Sequence, residues 1–183
     1  MEAVELMMQE HQYILRMLNV VRAACLKVYK REKFDYDKFA QMIDFVRNYA
    51  DRHHHAKEEE IFFKEMQQEI PLAKEPIQGM LIDHNNGRYF IQTLEAALAK
   101  AASGDDQANI DLLANAIGYT DLLTRHIEKE DKAIYTFGEK NLPDESKEIV
   151  EKKCGEVEKK AEENGLQAKY INLLIDLEKY FSE

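Results

Sequence analysis

The 183-residue chain predicts an all-α protein, an up-down-up-down antiparallel four-helix bundle with two additional C-terminal helices. Three observations lead there. The composition has only 7 Gly and 3 Pro and is rich in Ala, Leu, Glu and Lys, which favour helix. Apolar residues recur at steps of three and four along successive stretches. The connections between the first four stretches are short, and helices joined that way pack as antiparallel neighbours.

The first stretch, from about Glu2 to Lys30, carries Val4, Met7, His11, Ile14, Leu18, Val21, Cys25 and Val28 as one helical stripe. The second runs from about Tyr36 to Gln67, with Asp35 placed to cap its start. Its stripe is Phe39, Ile43, Val46, Ala50, His54, Glu58 and Ile61. The third opens near Pro76 and reads Ile77, Leu81, His84, Ile91, Leu94 and Leu98. Ser103 to Asp106 supply capping residues for the fourth, which continues Leu112, Ala116, Tyr119, Leu123, His126, Glu130, Ala133 and Phe137. Beyond Asn141 to Ser146 lie two further amphipathic helices, about 145–163 and 166–181, split at Asn164-Gly165. A piece of about 38 residues makes a thin core alone. The chain therefore reads as one domain over 1–183, with the bundle over 1–140 and a helical cover over 141–183.

Net charge is −10, which argues against a nucleic-acid partner or an anionic membrane surface. No apolar run approaches the roughly 20 residues of a membrane span, and the N-terminus lacks a signal pattern, so a cytoplasmic location is expected. Cys25 and Cys154 sit on apolar helical positions and read as buried thiols in a reducing compartment. Nucleophile elbows, phosphate loops and Cys-x-x-Cys pairs are absent from the sequence.

Ionisable residues interrupt all four apolar stripes: His11, His54 with Glu58, His84, and His126 with Glu130. At about 1.5 Å rise per residue, each lies at a matching distance from the loop joining it to its neighbour, so the four positions share one layer to within about a turn. Each His-x-x-x-Glu pair stacks an imidazole and a carboxylate on one helix face. Imidazoles with carboxylates that can bridge suit iron, manganese or zinc, and the lack of thiolates argues against a purely structural zinc site. Two carboxylates bridging two ions, with two imidazoles on each, would leave room for a small exogenous molecule. Within His53-His54-His55, only His54 has both an apolar approach and a carboxylate four residues on. His53 leads to Lys57, and His55 with Glu59 follows a polar line, so His53 and His55 read as exposed or supporting imidazoles.

These motifs resemble the hemerythrin-like, HHE cation-binding family: QEHQYIL around His11, HHHAKEEEIFF around His54 and Glu58, IDHNNGRYFI around His84, and RHIEKEDKAIY around His126 and Glu130. The resemblance covers nearly the whole chain. It implies a non-haem di-iron centre with His11, His54, His84 and His126 as terminal ligands and Glu58 and Glu130 as bridging carboxylates. The cofactor implied is two iron ions joined by an oxo or hydroxo bridge, with manganese or zinc as substitutes. One departure matters: oxygen-carrying members have a His-x-x-x-His pair on the third helix, where this chain has Arg88 after His84 and Met80 before it. The four-His, two-Glu set is instead similar to di-iron proteins linked to nitric-oxide stress and iron–sulfur cluster repair, although their cysteine-containing N-terminal extension is absent.

The expected function is therefore a di-iron protein that binds or reacts with oxygen, nitric oxide or peroxide. The alternative is a non-catalytic iron reservoir, donor or sensor, including a role in cluster repair. Either would draw on a redox or iron-accepting protein partner. Among smaller features, Gly87 either makes room for a ligand or permits close helix packing. Tyr119 either borders the exogenous site or is a core aromatic. Glu10, Asp83 and Asp131, each adjoining a proposed ligand, read mostly as surface charges, with one able to orient a histidine. Glu59 and Glu60 read as solvated.

Overall fold

The structure is a computed structural model that describes residues 1–32 and 35–182. Six helices and no strand are present among the described residues. Helix α1 is Glu2–Tyr29. Helix α2 covers 37–69, and α3 is Lys74–Ala102. Helix α4 covers 108–141, α5 is Asp144–Glu163 and α6 is Leu166–Ser182. No helix is long and apolar enough to cross a membrane.

Local chemistry sets the ends. Asp35 Oδ1 accepts the Asp37 N–H at 3.0 Å before α2, and Asp105 Oδ1 accepts the Gln107 N–H at 3.0 Å before α4. Gly165 (φ 64) takes the left-handed conformation that separates α5 from α6. Pro76 falls in the first turn of α3, where its missing N–H breaks no helical bond. Lys33 and Phe34, within the predicted first connection, lie outside the described residues.

Two of the helices are not uniform. Helix α2 has α geometry over Asp37–Phe45 and Phe63–Glu69, with π-helical geometry over Val46–His55 and Glu58–Phe62. Helix α4 makes a π turn over Glu130–Ile134. A step of four along an α-helix drifts about 40° from vertical, so a four-residue stripe soon leaves the core. The wider π turns remove that drift. Val46, Ala50, His54, Glu58 and Phe62 consequently stay buried in one line, with Phe45, Tyr49, His53, Lys57 and Ile61 buried beside them.

The π turn of α4 corrects the predicted stripe. One residue is absorbed at Glu130–Ile134, so Ile134, Tyr135 and Gly138 face inward, while Ala133 is exposed and Phe137 only partly buried.

The core divides into two apolar clusters with the polar layer between them. One holds Ile14, Met17, Phe45, Tyr49, Leu94, Leu112 and Leu123 and is closed by Tyr170, Leu174 and Leu177 of α6. The other holds Val4, Met7, Phe62, Phe63, Met66, Ile77 and Tyr135 and includes Val150 and Cys154 of α5. A fully buried aliphatic side chain such as Leu112 or Leu174 stabilises the fold by roughly 1.5–3 kcal/mol. Both C-terminal helices thus contribute side chains to the bundle core. Cys25 and Cys154 are buried free thiols, one in each cluster.

Candidate metal centre

Between the clusters, α1 brings Glu10 and His11, α2 brings His53 to Glu59, α3 brings Asp83 and His84, and α4 brings His126 to Tyr135. His11, His54, Glu58, His84, His126 and Glu130 are each no more than 1% exposed and converge on one another. The His84 and His126 Nε2 atoms lie 2.9 Å apart with their rings at 65°. On the other side, the His11 and His54 rings meet edge to face with centroids 4.5 Å apart. Glu130 reaches both pairs: Oε1 lies 3.1 Å from His126 Nε2 and 3.8 Å from His84 Nε2, while Oε2 lies 3.4 Å from His11 Nε2. Glu58 Oε2 lies 3.7 Å from His54 Nε2 and 3.5 Å from His84 Nε2. Among the described residues around Glu58, donor atoms close enough to hold an ion form two groups, His55-Glu58-His84-His126 and His11-His54-Glu58, with Glu58 in both.

The outward nitrogens are held by carboxylates. His11 Nδ1 donates to Asp131 Oδ1 at 2.7 Å, His54 Nδ1 to Glu10 Oε2 at 2.8 Å, and His84 Nδ1 to Glu59 Oε1 at 2.6 Å. Asp83 Oδ2 stands 3.6 Å from His126 Nδ1. Such partners fix the tautomer, leaving Nε2 as the inward acceptor. This corrects the view of these acids as mainly surface charges. Glu10 is 1% exposed, and Glu59, expected to be solvated, is half-buried and gripped by Arg88 at 2.7 Å. Adjacent residues on an α-helix diverge by about 100°, but the charges surrounding α2 are drawn in because other helices cover those faces too.

The scan against known families matches the chain over residues 2–137 to the hemerythrin HHE cation binding domain. The chain belongs to that family. Comparison with curated proteins and with solved structures gives no significant match.

The hemerythrin domain of this chain fits a metal on its own geometry. His54 Nε2, Glu58 Oε2 and both Glu130 oxygens are buried without a hydrogen-bond partner among the described residues. An orphaned buried polar atom costs roughly 1–3 kcal/mol, more when charged. Cations placed among these atoms would satisfy all of them at once. Without metal, protons do part of that work. Burial and the neighbouring Glu130 charge push the Glu58 carboxyl well above its ordinary range. Burial also opposes charge on Glu130, but His126 and His11 outweigh it and hold that carboxyl well below the usual range. The same contest lifts His11 to about 9, where burial is overcome by Asp131 and Glu130. His126 also rises to about 9, where Glu130 overcomes burial.

Three buried side chains in the hemerythrin core, Tyr135, His55 and His53, were not placed there by the sequence. Tyr135 donates its hydroxyl to Glu58 Oε1 and stands 3.5 Å from His11 Nε2. The π turn of α4 placed it there, against the α-helical period. His55, expected to be exposed or supporting, is buried and stacks on His84 with centroids 3.9 Å apart. His53 is buried as well, and its Nε2 contacts Glu10 at 2.9 Å. Glu10, His53 and Glu158 also approach one another closely, but the Lys57 ammonium bonds to both carboxylates and already supplies the cation there.

A cavity of about 420 Å³ opens beside His84, lined among others by Asp51, His55, His84, Gly87, Arg88 and Tyr119. The Tyr119 hydroxyl is buried without a partner among the described residues. A Cβ on Gly87 would meet the Tyr119 ring at 3.5 Å, an ordinary contact, so close helix packing does not demand glycine there.

Proposed function

We propose that this hemerythrin-domain protein holds two iron ions as a non-haem di-iron centre and there binds or reacts with oxygen, nitric oxide or peroxide. The observation that carries this reading is the double reach of Glu130, one oxygen toward His84 and His126 and the other toward His11. His11 and His54 would hold one ion and His84 and His126 the other, with Glu58 and Glu130 between them. The iron would supply redox capacity and a Lewis-acidic site for the small molecule.

The remaining work belongs to the chain. Asp131, Glu10 and Glu59 hold three imidazoles by Nδ1, so each Nε2 lone pair points inward. The Tyr135 hydroxyl fixes Glu58 Oε1 and leaves Oε2 free. Apolar clusters above and below keep water from the layer, and the cavity beside His84 gives a small molecule its path. Short connections before α3 and α4 support the antiparallel up-down-up-down order, with the C-terminal helices part of the same domain. A cytoplasmic setting and a redox or iron-accepting partner complete the proposal.

A second reading, an iron reservoir, donor or sensor that includes cluster repair, draws on the same cavity, since an ion beside an open wall can leave as well as react. The deciding experiment is metal analysis of protein purified without an affinity tag, with visible spectra before and after oxygen, peroxide or nitric oxide. About two irons per chain with a spectrum that responds support the reactive centre. Iron that passes readily to a chelator without spectral response supports the reservoir. His126→Ala and Glu58→Ala are each expected to lower metal content, and full occupancy in both variants would remove the proposed site.

A further inference from the structure

His55 is wired like the proposed ligands yet faces differently. Its Nδ1 lies 3.4 Å from Asp51 Oδ1, and Asp51 is ion-paired with Arg88 at 2.7 Å. An ionised carboxylate cannot donate, so the Nδ1 hydrogen turns toward Asp51 and Nε2 keeps its lone pair. Among the described residues, the hydrogen bond His55 makes is the one from Nδ1 to Asp51. A ring nitrogen of His55 lies within 4.8 Å of the donor atoms of Glu58, His84 and His126.

Ring geometry separates His55 from a ligand role. Its plane is nearly parallel to that of His84, at 15° and 3.9 Å between centroids. In-plane lone pairs on stacked rings run in parallel planes and do not converge on one ion, as those of His84 and His126 do. His55 also lines the 420 Å³ cavity. It therefore presents an acceptor to whatever occupies the cavity side of the centre.

We propose that His55 accepts a hydrogen bond from a protic molecule of the hydrogen peroxide class bound on the cavity side of the centre. The proposal rests on the di-iron reading and narrows its small molecule to one that carries a proton. It makes His55 a positioning residue with a preference for peroxide over an aprotic anion of similar size, because such an anion has no hydrogen to offer Nε2.

The test compares hydrogen peroxide with azide on iron-loaded wild-type protein, His55→Phe and His55→Gln, with the exposed cavity-rim variant Gln92→Ala as control. Phe keeps the stack on His84 without an acceptor, and Gln restores an acceptor oxygen. Half-saturation is read from the visible spectrum for each probe, and iron is counted per chain. His55→Phe is expected to keep wild-type iron and weaken peroxide about tenfold or more, while azide shifts by less than about threefold. His55→Gln should recover most of the peroxide response, and Gln92→Ala should match wild type. Unchanged peroxide binding in His55→Phe overturns the proposal, as does equal weakening of both probes. Loss of iron in His55→Phe would make His55 a ligand and also overturn it. A wild-type protein without paired iron fails earlier, at the di-iron reading itself.

Discussion

Glu58 and Glu130 show how much a single residue's setting decides. Both are glutamates four residues after a histidine and both are fully buried, yet one is pushed toward protonation and the other held ionised. The difference lies in the cations that face them: Glu130 lies between His11 and His126, whereas Glu58 lies next to Glu130. Raising the pKa of His11 and His126 to about 9 has a pH consequence. Their folded values exceed the ordinary 6.5, so protonation stabilises the metal-free fold fully below about pH 6.5, and that contribution is lost as pH rises through about 9. A metal must displace those protons. Metal uptake at pH 7 is therefore expected to release more than one proton per chain, with affinity rising as pH rises toward 9. Calorimetry in two buffers of different ionisation enthalpy counts the protons, and a count of zero would contradict the protonated pocket.

At the scale of elements, the π turns decide which neighbours reach the centre. In α2 they keep two adjacent four-residue lines buried, which puts His53 and His54 inside, and His55 is buried on the flank beside them. In α4 the turn at Glu130 moves the inward face by one residue, exchanging Ala133 for Ile134 and bringing Tyr135 to Glu58. Glycines on the two long central helices respond oppositely to a methyl group. At Gly138 a Cβ would fall 2.5 Å from Phe62 Cζ and 2.8 Å from Met66 Sδ, both in side chains packed into the core. Gly138→Ala is expected to destabilise by about 1–3 kcal/mol. Gly87→Ala meets only an ordinary contact inside a helix and is expected to stabilise by about 0.5–1 kcal/mol. Thermal melts of the two variants under one buffer would check the opposite signs.

Over the whole molecule, polar and apolar layers alternate, and the C-terminal helices complete both. Helix α6 closes one apolar cluster, α5 joins the other, and Glu158 of α5 with Gln167 of α6 shares the buried Lys57-Glu10 network. Glu10 in turn holds His54, so the cover reaches the centre through two side chains. A buried charged layer without its cation strains the middle of the bundle but not its apolar layers. Removing metal with a chelator is expected to lower the melting temperature and to speed amide exchange at 46–62 and 130–134, with residues of α6 changing least. Uniform acceleration along the chain would show that the centre does not act locally.

The helical class, the six segments and the polar positions of four helices were legible in the sequence, because amphipathic spacing writes burial directly into residue order. So was the convergence of His11, His54, His84 and His126 on one layer, since helix rise and short loops constrain height. What sequence periodicity could not express is rotation that departs from the α-helical repeat. Tyr135 and the inward side of Ala133's neighbours depended on π turns, which hydrogen bonding in the packed bundle selects and no local spacing announces. The burial of His55 and the roles of Glu10, Glu59 and Lys57 likewise waited on tertiary structure. A charge on the flank of a helix is solvated or buried according to what covers it, and here α1, α3 and the C-terminal helices supply both the cover and the opposite charges.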